Sequence, residues 1–313
     1  MFAYAARRIA ATIPVMLVVA FFVFSLLYIA PGDPAAIIAG DQATPADVER
    51  IRASLGLDRP FIVRFGEWLW QIMHGDLGNS IFTNLPVSHM IAQRIEPTVS
   101  LMVLTIVFSI VVAIPLGVLA AWKHGSWLDS GVMVMAVFGF STPVFVLGYL
   151  LAYFFALQLD WLPVQGFHSL SDGIVPFLRN LTLPTIALGL IFIALLARIT
   201  RATMLDVLSQ DYVRTAKAKG VDQRSVLFVH ALKNAAVPIV TVIGNGVALL
   251  IGGAVITESV FAIPGLGRLT VDAILRRDYP VIQGVVLLFS VSYVLVNLAV
   301  DLLYTVFDPR IRY

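Results

Sequence analysis

Long apolar stretches alternate with short polar stretches along the whole chain. A helix needs about 20 mostly apolar residues to cross the hydrocarbon core of a bilayer. Windows of that kind, with few or no charges, cover residues 9–30, 99–121, 131–157, 181–200, 235–257 and 281–303. The pattern predicts an all-α, polytopic membrane protein with six transmembrane helices.

The first window follows Arg7 and Arg8, an arrangement that also begins secretory signal peptides. The apolar run is longer than the core of a cleaved signal, and it lacks a convincing small-residue cleavage site. We therefore expect an uncleaved first membrane span. A twin-arginine export signal is the alternative.

Composition agrees with a membrane protein. Of the 313 residues, 59% are hydrophobic and 13% are charged, whereas soluble domains have about 45–50% and about 25%. The mean hydropathy is +0.91. The absence of cysteine excludes disulfides, thiol catalysis and cysteine metal sites. A net charge of +2 is too small to indicate a nucleic-acid partner.

Lys and Arg concentrate in the segments on one side of the predicted spans, which by the positive-inside rule is the cytoplasmic side. The basic residues of these segments are Arg7, Arg8, Lys123, Arg201, Arg214, Lys217, Lys219, Arg224, Lys233, Arg310 and Arg312, with Arg198 at the same face. Residues 31–98, on the other side, contain more acids than bases, and long loops orient a chain weakly. Both termini and the loop 201–234 are therefore predicted to be cytoplasmic.

The outside segment 31–98 has helix signals of its own. Thr44 and Pro45 can begin a helix that stops at Gly56. A second helix is predicted to begin at Pro60, with apolar residues at helical spacing. These residues are Phe61, Phe65, Trp68, Leu69 and Ile72. Trp68 and Trp70 suit the lipid headgroup layer, so we expect short helices along the outer membrane face. A small packing cap without a role in solute handling is the alternative.

The sequence lacks the motifs of nucleotide binding and of the common catalytic sites. "GLGRLT" at 265–270 only touches the glycine pattern of nucleotide-binding loops and is interpreted as a turn, and no phosphate-binding loop ending in Lys and Ser/Thr occurs. His74 and His89 could meet in the outside segment, but no clear third metal ligand accompanies them. We predict no catalytic, cofactor-binding or metal site on this chain.

The centres of the six windows contain no Asp, Glu, Lys or Arg, and Glu258 and Asp301 lie near window ends. Buried charges usually mark ion or proton pathways, so their absence argues against an ion-coupled transporter. Pro143, after Ser141 and Thr142, predicts a kink in the third span whose free backbone groups are satisfied by hydroxyls.

Uncharged polar residues mark the last two windows. Glycines on both sides of Asn245 allow close helix approach, and an amide at mid-depth should face protein or water. The candidate residues of a translocation pathway are Asn245, Ser290, Ser292 and Asn297. Interhelical hydrogen bonding and close packing are the alternative role.

The cytoplasmic insert 201–234 has the signals of two helices and a turn. A helix over 205–219 would end at Gly220 in a left-handed cap. Asp222 can cap a second helix, and Pro238 then opens the next span. Basic residues cluster around the turn. An ordered, basic protrusion favours docking on a partner over a purely topological role.

"RTAKAKG" at 214–220 resembles the EAA loop of ATP-binding cassette (ABC) importer permeases, in the form found in the peptide and nickel subgroup. Gly220 keeps the seventh place of the motif, whereas the later Ile-x-Leu-Pro becomes "HALK" at 230–233, with a proline displaced to Pro238. Further similar motifs are "PGDP" at 31–34, "GDLGNS" at 75–80, "FAIPGLGRL" at 261–269, "RDYPVIQ" at 277–283 and "DPRIRY" at 308–313. The resemblance therefore covers the whole chain.

The resemblance implies a type I ABC importer permease fold and three regions. These are an N-terminal tail and first span (1–30), a periplasmic segment with short interfacial helices (31–98), and a permease core (99–313) containing the coupling loop 201–234. The residues implied to contact an ATPase are Arg214, Thr215, Ala216, Lys217, Ala218, Lys219, Gly220, Arg224, His230 and Asn234.

The resemblance also implies partners. The permease would form half of a pathway beside a second permease, either a homologue or a copy. Two cytoplasmic ATPases would bind ATP and Mg, and a periplasmic or lipid-anchored binding protein would deliver the solute. No cofactor is expected on this chain, which would be a multi-pass protein of a bacterial inner membrane.

The implied function is that of a non-catalytic subunit of an ATP-driven importer that works by alternating access. Its solute would be a dipeptide, an oligopeptide or a small peptide such as glutathione, and nickel or another small solute is the alternative. A secondary transporter or channel without an ATPase and an intramembrane enzyme are the alternatives from other classes. The pathway residues carry no charge pattern that selects the solute.

Overall fold

The computed structural model describes residues 2–29, 33–39, 43–54 and 56–307. Within these ranges the chain is helical, and its strand-like pairing is an isolated antiparallel bridge between Asn79 and Pro86. The motif at 308–313 and part of the motif at 31–34 lie outside the described residues. The all-α prediction is confirmed.

Long helices coincide with the apolar windows, and short helices lie between them. The long helices are α1 (Phe2–Ile29), α5 (Val87–Trp122), α8 (Ile174–Leu208), α11 (Leu232–Val260) and α13 (Tyr279–Phe307). The short helices are α2 (Pro34–Ala39), α3 (Pro45–Ser54), α4 (Phe61–Met73), α6 (Trp127–Ser141), α7 (Val144–Leu151), α9 (Asp211–Ala218), α10 (Gln223–Ser225) and α12 (Leu266–Arg276). π-Helical turns cover Ala152–Gln158 and Val226–Ala231, and a 3-10 turn covers Leu170–Asp172.

Five helical stretches within the described ranges are long and apolar enough to cross a membrane. The third predicted span is divided into Trp127–Ser141 and Val144–Gln158, which are bent by 104° and make a sixth span if they count as one. Pro143 begins the second half, and the Thr142 hydroxyl donates to the carbonyl of Phe138 at 2.9 Å. The kink at Pro143 is confirmed, and it is sharp enough to break the helix because proline removes a backbone donor.

The chain divides into two compact units. The first takes its residues from 1–5, 95–268 and 293–313, and the second from 6–94 and 269–292. In the first unit α8 packs against α6, α7 and α11. The side chains of Leu181, Phe192 and Leu250 are almost fully buried in its core. Most of the α8 span is therefore covered by protein.

In the second unit α4 packs on α1 through aromatic side chains. The ring of Phe24 lies 5.3 Å from the ring of Phe61 and 5.1 Å from that of Trp68. Trp70 is 63% exposed, so Trp70 rather than Trp68 is available to the headgroup layer. The predicted helices after Pro45 and after Pro60 are confirmed.

The interpretation of residues 265–270 as a turn is wrong beyond its first residue. Helix α12 begins at Leu266, so only Gly265 stays in the turn. The glycines at 265 and 267 suggest a loop, but both are required by close packing against Glu258 and Val255.

Candidate functional site

The cytoplasmic loop contains a shorter first helix than the sequence predicts. The helix predicted over 205–219 is divided, because α8 continues to Leu208 and α9 covers only Asp211–Ala218. The helical stretch 223–260 is continuous, so Pro238 lies inside a helix and the prediction that it opens the span is wrong. The second arm of the loop is therefore joined to a membrane span without a flexible linker.

The turn at Gly220 has the predicted left-handed conformation. Its φ is +80°, and nothing lies within 4 Å of the position that a Cβ atom would take, so the backbone conformation rather than space requires glycine. The Gly220 amide donates to the Lys217 carbonyl at 3.0 Å and the Val221 amide to the Ala216 carbonyl at 3.2 Å. This pair of hydrogen bonds is a Schellman motif, which satisfies carbonyls at the end of α9.

Asp222 begins the second arm as predicted. Its Oδ2 accepts a hydrogen bond from the Ser225 amide at 3.0 Å. Hydrogen bonds from the side chain and the backbone of Ser225 hold the pKa of Asp222 below its usual range. Asp222 is therefore ionised at neutral pH and acts as the cap of α10.

Helix α9 is anchored by Val213, whose side chain is fully buried. Most other residues of α9 are exposed, and the Arg214 side chain keeps 74% of its surface accessible beside Asp211 at 3.6 Å. The Thr215 hydroxyl donates back to the Asp211 carbonyl at 2.9 Å, and Ala216 is half-buried. α9 is thus a short helix with one apolar anchor and an open polar face.

The other predicted coupling residues lie on the same loop. Lys217, Ala218, Lys219, Gly220 and Arg224 are exposed. Farther along, His230 is half-buried in the π-helical turn, and the amide of exposed Asn234 donates to the His230 carbonyl at 2.6 Å. The loop therefore presents cations without burying them against other parts of the chain.

The predicted pathway residues fall into two groups. The polar side chains of Ser290, Ser292 and Asn297 each donate to a carbonyl four residues earlier in α13, at 2.8, 2.8 and 2.9 Å. Asn245 is exposed on α11, although Gly244 and Gly246 beside it lie against Val300 and Phe192. The glycines thus serve close packing, and Asn245 points away from that packing.

Asn245 belongs to an exposed stripe of α11. The exposed residues at helical spacing are Asn245, Ala248, Leu249, Gly252, Ile256 and Ser259. Leu249 and Ile256 are large and apolar, whereas the other four residues are small or polar and suit close contact with another helix or with water. Among the described residues, these six are exposed.

Sequence reasoning missed an ion pair near the cytoplasmic end of α8. The Arg201 Nη2 atom donates to Oδ2 of Asp129 at 2.7 Å, and Nε donates to Oδ1. The same carboxylate accepts from the Gly125 amide at 3.0 Å and lies 3.0 Å from His124 Nδ1. "SWLD" at 126–129 has the Ser-x-x-Asp spacing of a helix start, which could have drawn attention to Asp129. Its partner Arg201 could not be inferred from that spacing.

A second missed residue is Glu258, which is fully buried at the outer end of α11. Its Oε1 accepts a hydrogen bond from the Thr98 hydroxyl at 2.6 Å, and Oε2 accepts from the Arg268 amide at 3.0 Å. Thr98 Oγ1 in turn accepts from the Leu266 amide at 2.8 Å. We call these four residues the Glu258 joint. It places a carboxylate at the N-terminus of α12, where the helix dipole favours negative charge.

Two glycines make the Glu258 joint possible. A Cβ at Gly265 would lie 2.3 Å from the Glu258 carboxyl carbon, and one at Gly267 would lie 2.5 Å from Cα of Val255. The "PGLG" motif therefore has glycine where α12 crosses Glu258 and α11. In the sequence, "ESVF" at 258–261 begins with Glu258 and lies just before "PGLG" at 264–267, and this proximity was the available signal.

The second unit contains a third missed carboxylate, Asp278. It is 5% exposed and accepts hydrogen bonds from the Ser80 hydroxyl at 2.5 Å and from the Ile81 amide at 3.2 Å. Ser80 ends the "GDLGNS" motif and Asp278 belongs to "RDYP". The two motifs thus form a single contact.

Within the described ranges, no group of three or more His, Cys, Asp or Glu side chains could hold a metal ion. His74 Nδ1 lies 2.8 Å from the Trp70 carbonyl, and His89 lies 2.9 Å from the amide of Gln93. Each histidine is paired within its own helical turn.

The long helices and the exposed basic loop first define a class, the polytopic α-helical membrane proteins. Residues 113–313 match the family described as "Binding-protein-dependent transport system inner membrane component", and residues 1–102 match its N-terminal region. The chain belongs to this family. It is a multi-pass inner-membrane permease of an ABC transporter, which works with an ATPase and a solute-binding protein.

Curated relatives match over nearly the whole chain. A probable peptide ABC transporter permease of Sinorhizobium fredii is 54% identical over 310 residues, which is 99% of each chain. A glutathione transport system permease of Salmonella choleraesuis is 42% identical over 99% of each chain. A dipeptide transport system permease of Alkalihalophilus pseudofirmus is 40% identical over 100% of each chain.

Among solved structures, an inward-facing conformation of the MetNI methionine ABC transporter is similar. The TM-score is 0.56 at 16% identity, and the match covers 70% of this chain and 96% of the other. At this identity the likeness shows the fold, which is that of an ABC importer permease.

Proposed function

We propose that this chain is the non-catalytic permease subunit of an ATP-driven importer for dipeptides, oligopeptides or a related small peptide such as glutathione. The names of the relatives, which are 40–54% identical over almost the whole chain, support the solute class. ATP and Mg are bound by partner ATPases, and this chain carries no cofactor. The regions 1–30, 31–98 and 99–313 act as anchor, outer segment and permease core.

The observation that carries the proposal is the construction of the coupling loop. Val213 holds α9 to the chain, and the basic face of α9 stays exposed. The arm that follows Gly220 continues without a break into the span that ends at Val260. An ATPase that binds α9 can therefore move the span that ends at Val260 as a rigid element. The ten coupling residues named from the sequence, from Arg214 to Asn234, form this contact.

The other half of the pathway comes from a second permease, either a homologue or a copy, and two ATPases drive the pair. The exposed stripe of α11 supports this arrangement, because an amide such as Asn245 inside a membrane should face protein or water. Ser290, Ser292 and Asn297 of α13 contribute further polar groups to the pathway. ATP binding closes the motor subunits and turns the spans from inward-facing to outward-facing.

The test is a charge reversal on α9 in the complete transporter. Arg214→Glu with Lys217→Glu should reduce recovery of the ATPase with the permease and reduce ATP-dependent dipeptide uptake by about tenfold or more, since exposed cations steer docking. Lys123→Glu, on another cytoplasmic loop, is the matched control and should leave both unchanged. Full ATPase recovery with the double variant would refute the docking role.

A second variant tests whether the turn at Gly220 transmits motion to the membrane span. Gly220→Pro removes a backbone donor and cannot adopt a φ of +80°. It should abolish uptake while the permease still reaches the membrane, as measured by uptake and by membrane fractionation. Normal uptake would show that the turn does not transmit motion.

A further inference from the structure

The second unit contains a cavity of about 560 Å³ that the coupling mechanism does not use. Its walls come from the end of α1, the loop at 56–59, one face of α4, the loop at 77–84 and the beginning of α13. In the six-span topology these parts lie on the outer side of the membrane. Small-molecule sites have volumes of about 300–1,000 Å³, so the cavity has the size of a ligand site.

We propose that this cavity binds the two charged ends of a short peptide before translocation. The inference rests on the proposed function as a peptide permease and assigns that function an additional site. The charged and polar lining of the cavity supplies a partner for each chemical group of a zwitterionic peptide.

The peptide ends are matched by Arg59 and Glu67. The Arg59 Nη1 atom lies 2.8 Å from Oε1 and 3.0 Å from Oε2 of Glu67, and both side chains line the cavity. Their side chains are 59% and 53% exposed. An ion pair between exposed side chains contributes little to stability, so it can open at little cost. A zwitterion entering between them pairs its carboxylate with Arg59 and its ammonium group with Glu67.

The backbone and side chains of the peptide would contact both apolar and polar side chains of the cavity. Trp68, Phe24 and Leu27 supply apolar surface, and the side-chain amides of Gln71, Asn79 and Asn84 can bind peptide groups. The guanidinium carbon of Arg64 lies 5.7 Å from the centre of the Phe24 ring. With Arg59 and Arg64 against Glu67, the lining has an excess of positive charge. A lipid chain would desolvate these polar groups without replacing their hydrogen bonds, which is costly.

The wall that carries the amides is held in place. The buried Asp278 carboxylate accepts from Ser80 and Ile81, and the Ser80 amide donates to the Leu85 carbonyl at 2.9 Å. Asn79 is paired with Pro86 in the isolated bridge. The site is therefore shaped before a ligand arrives, which lowers the ordering cost of binding.

The experiment uses the complete transporter in nanodiscs without its binding protein and measures equilibrium binding of L-alanyl-L-phenylalanine. The same peptide with an amidated C-terminus or an acetylated N-terminus removes one charge at a time. Each modification should weaken binding by about three- to fivefold, because it removes one charge-assisted pair with an exposed side chain. Uptake of the unmodified peptide with the binding protein present is measured in parallel.

The variants assign the charges. Arg59→Gln should weaken binding of the unmodified peptide about as much as amidation does, and amidation should then have no further effect. Glu67→Gln should behave in the same way toward acetylation. Arg276→Gln changes an exposed arginine that does not line the cavity and should bind as the wild type does. Because the Arg59 and Glu67 side chains are exposed, Arg59→Gln and Glu67→Gln should both fold.

Three results would overturn the site. The first is binding that is indifferent to the end groups, and the second is equal binding by Arg59→Gln, Glu67→Gln and the wild type. The third comes from a parallel co-purification of the binding protein with each variant: Arg59→Gln and Glu67→Gln lose binding-protein association equally with and without peptide, which would make the cavity a protein-docking surface. If dipeptide uptake by the wild type persists in these cases, the proposed function stands and only the site fails. Absence of all peptide uptake would instead refute the proposed function, and the site with it.

Discussion

The coupling loop around Gly220 and the Glu258 joint belong to the same compact unit, and their polar groups have opposite surroundings. The loop holds its polar side chains in the open and buries the apolar side chain of Val213 as the anchor of α9. The joint encloses a carboxylate completely and satisfies it with a hydroxyl and a backbone amide. The loop leaves its polar side chains exposed, whereas the joint satisfies its carboxylate within this chain.

The difference explains why the two regions have different sequence requirements. The loop needs a local backbone conformation, so a contiguous motif ending in Gly220 is sufficient to describe it. The joint needs residues that are 160 positions apart, at Thr98 and Glu258. Substitutions in the joint should therefore affect folding, and substitutions in the loop should affect assembly and transport.

Glu258→Ala should have the largest effect on folding. It leaves the buried Thr98 hydroxyl and the Arg268 amide without this carboxylate, and each unsatisfied buried group costs about 1–3 kcal/mol. We expect a loss of about 3–5 kcal/mol in the free energy of unfolding, measured by chemical denaturation in mixed micelles. Asp206→Ala, at an exposed position of the same unit, should change it by less than about 0.5 kcal/mol. A stable Glu258→Ala protein would mean that the joint does not support the fold.

A pair of matched glycine substitutions compares the two regions directly. In Gly267→Ala the new methyl group meets the α11 backbone at 2.5 Å, and such overpacking costs about 1–3 kcal/mol. In Gly220→Ala the new methyl group has open space, and only the left-handed backbone conformation costs about 1–2 kcal/mol. Thermal unfolding should rank Gly267→Ala as the less stable variant. ATP-dependent uptake per folded transporter should fall more in Gly220→Ala. If Gly220→Ala were the less stable variant and Gly267→Ala the one with the lower uptake, the proposed difference between the two regions would be wrong.

The smallest effect is expected at Asp222. Its pKa is lowered in the folded protein, so the cap stabilises the loop above the ordinary carboxyl value of 3.8 and is lost as the pH falls through the lower folded value. Hydrogen exchange at the Ser225 amide should thus show no loss of the cap between about pH 5 and pH 8. Asp222→Ala should accelerate this exchange several-fold, and Asp222→Asn, which keeps a capping oxygen, should not. Equal exchange in all three proteins would show that the cap contributes nothing.

The features that the sequence predicted correctly depend on neighbouring residues. The apolar windows, the helix starts at Pro45 and Pro60, the left-handed turn at Gly220 and the kink at Pro143 all follow from local preferences. The errors in the loop also have local causes. Ser209 and Gln210 contain no strong breaker, so the end of α8 was not recognised, and Pro238 was interpreted as a helix start although it lies within a continuous helix.

The carboxylates were missed for a different reason. Asp129, Glu258 and Asp278 each looked like an ordinary charge near the end of a span or in a loop. Their importance comes from partners at Arg201, Thr98 and Ser80, which are distant in the sequence. The motifs "PGLG" and "GDLGNS" could be recognised as signatures, but their physical purpose required the partner positions.

The order of residues alone determines that this protein spans the membrane and carries an exposed basic loop, because bilayer thickness and backbone preferences act on contiguous segments. Tertiary structure decides which carboxylates are buried, which glycines tolerate no side chain and which polar groups line a cavity. These properties depend on atoms that meet only after helices pack, and a buried polar group is stable only when a distant donor reaches it.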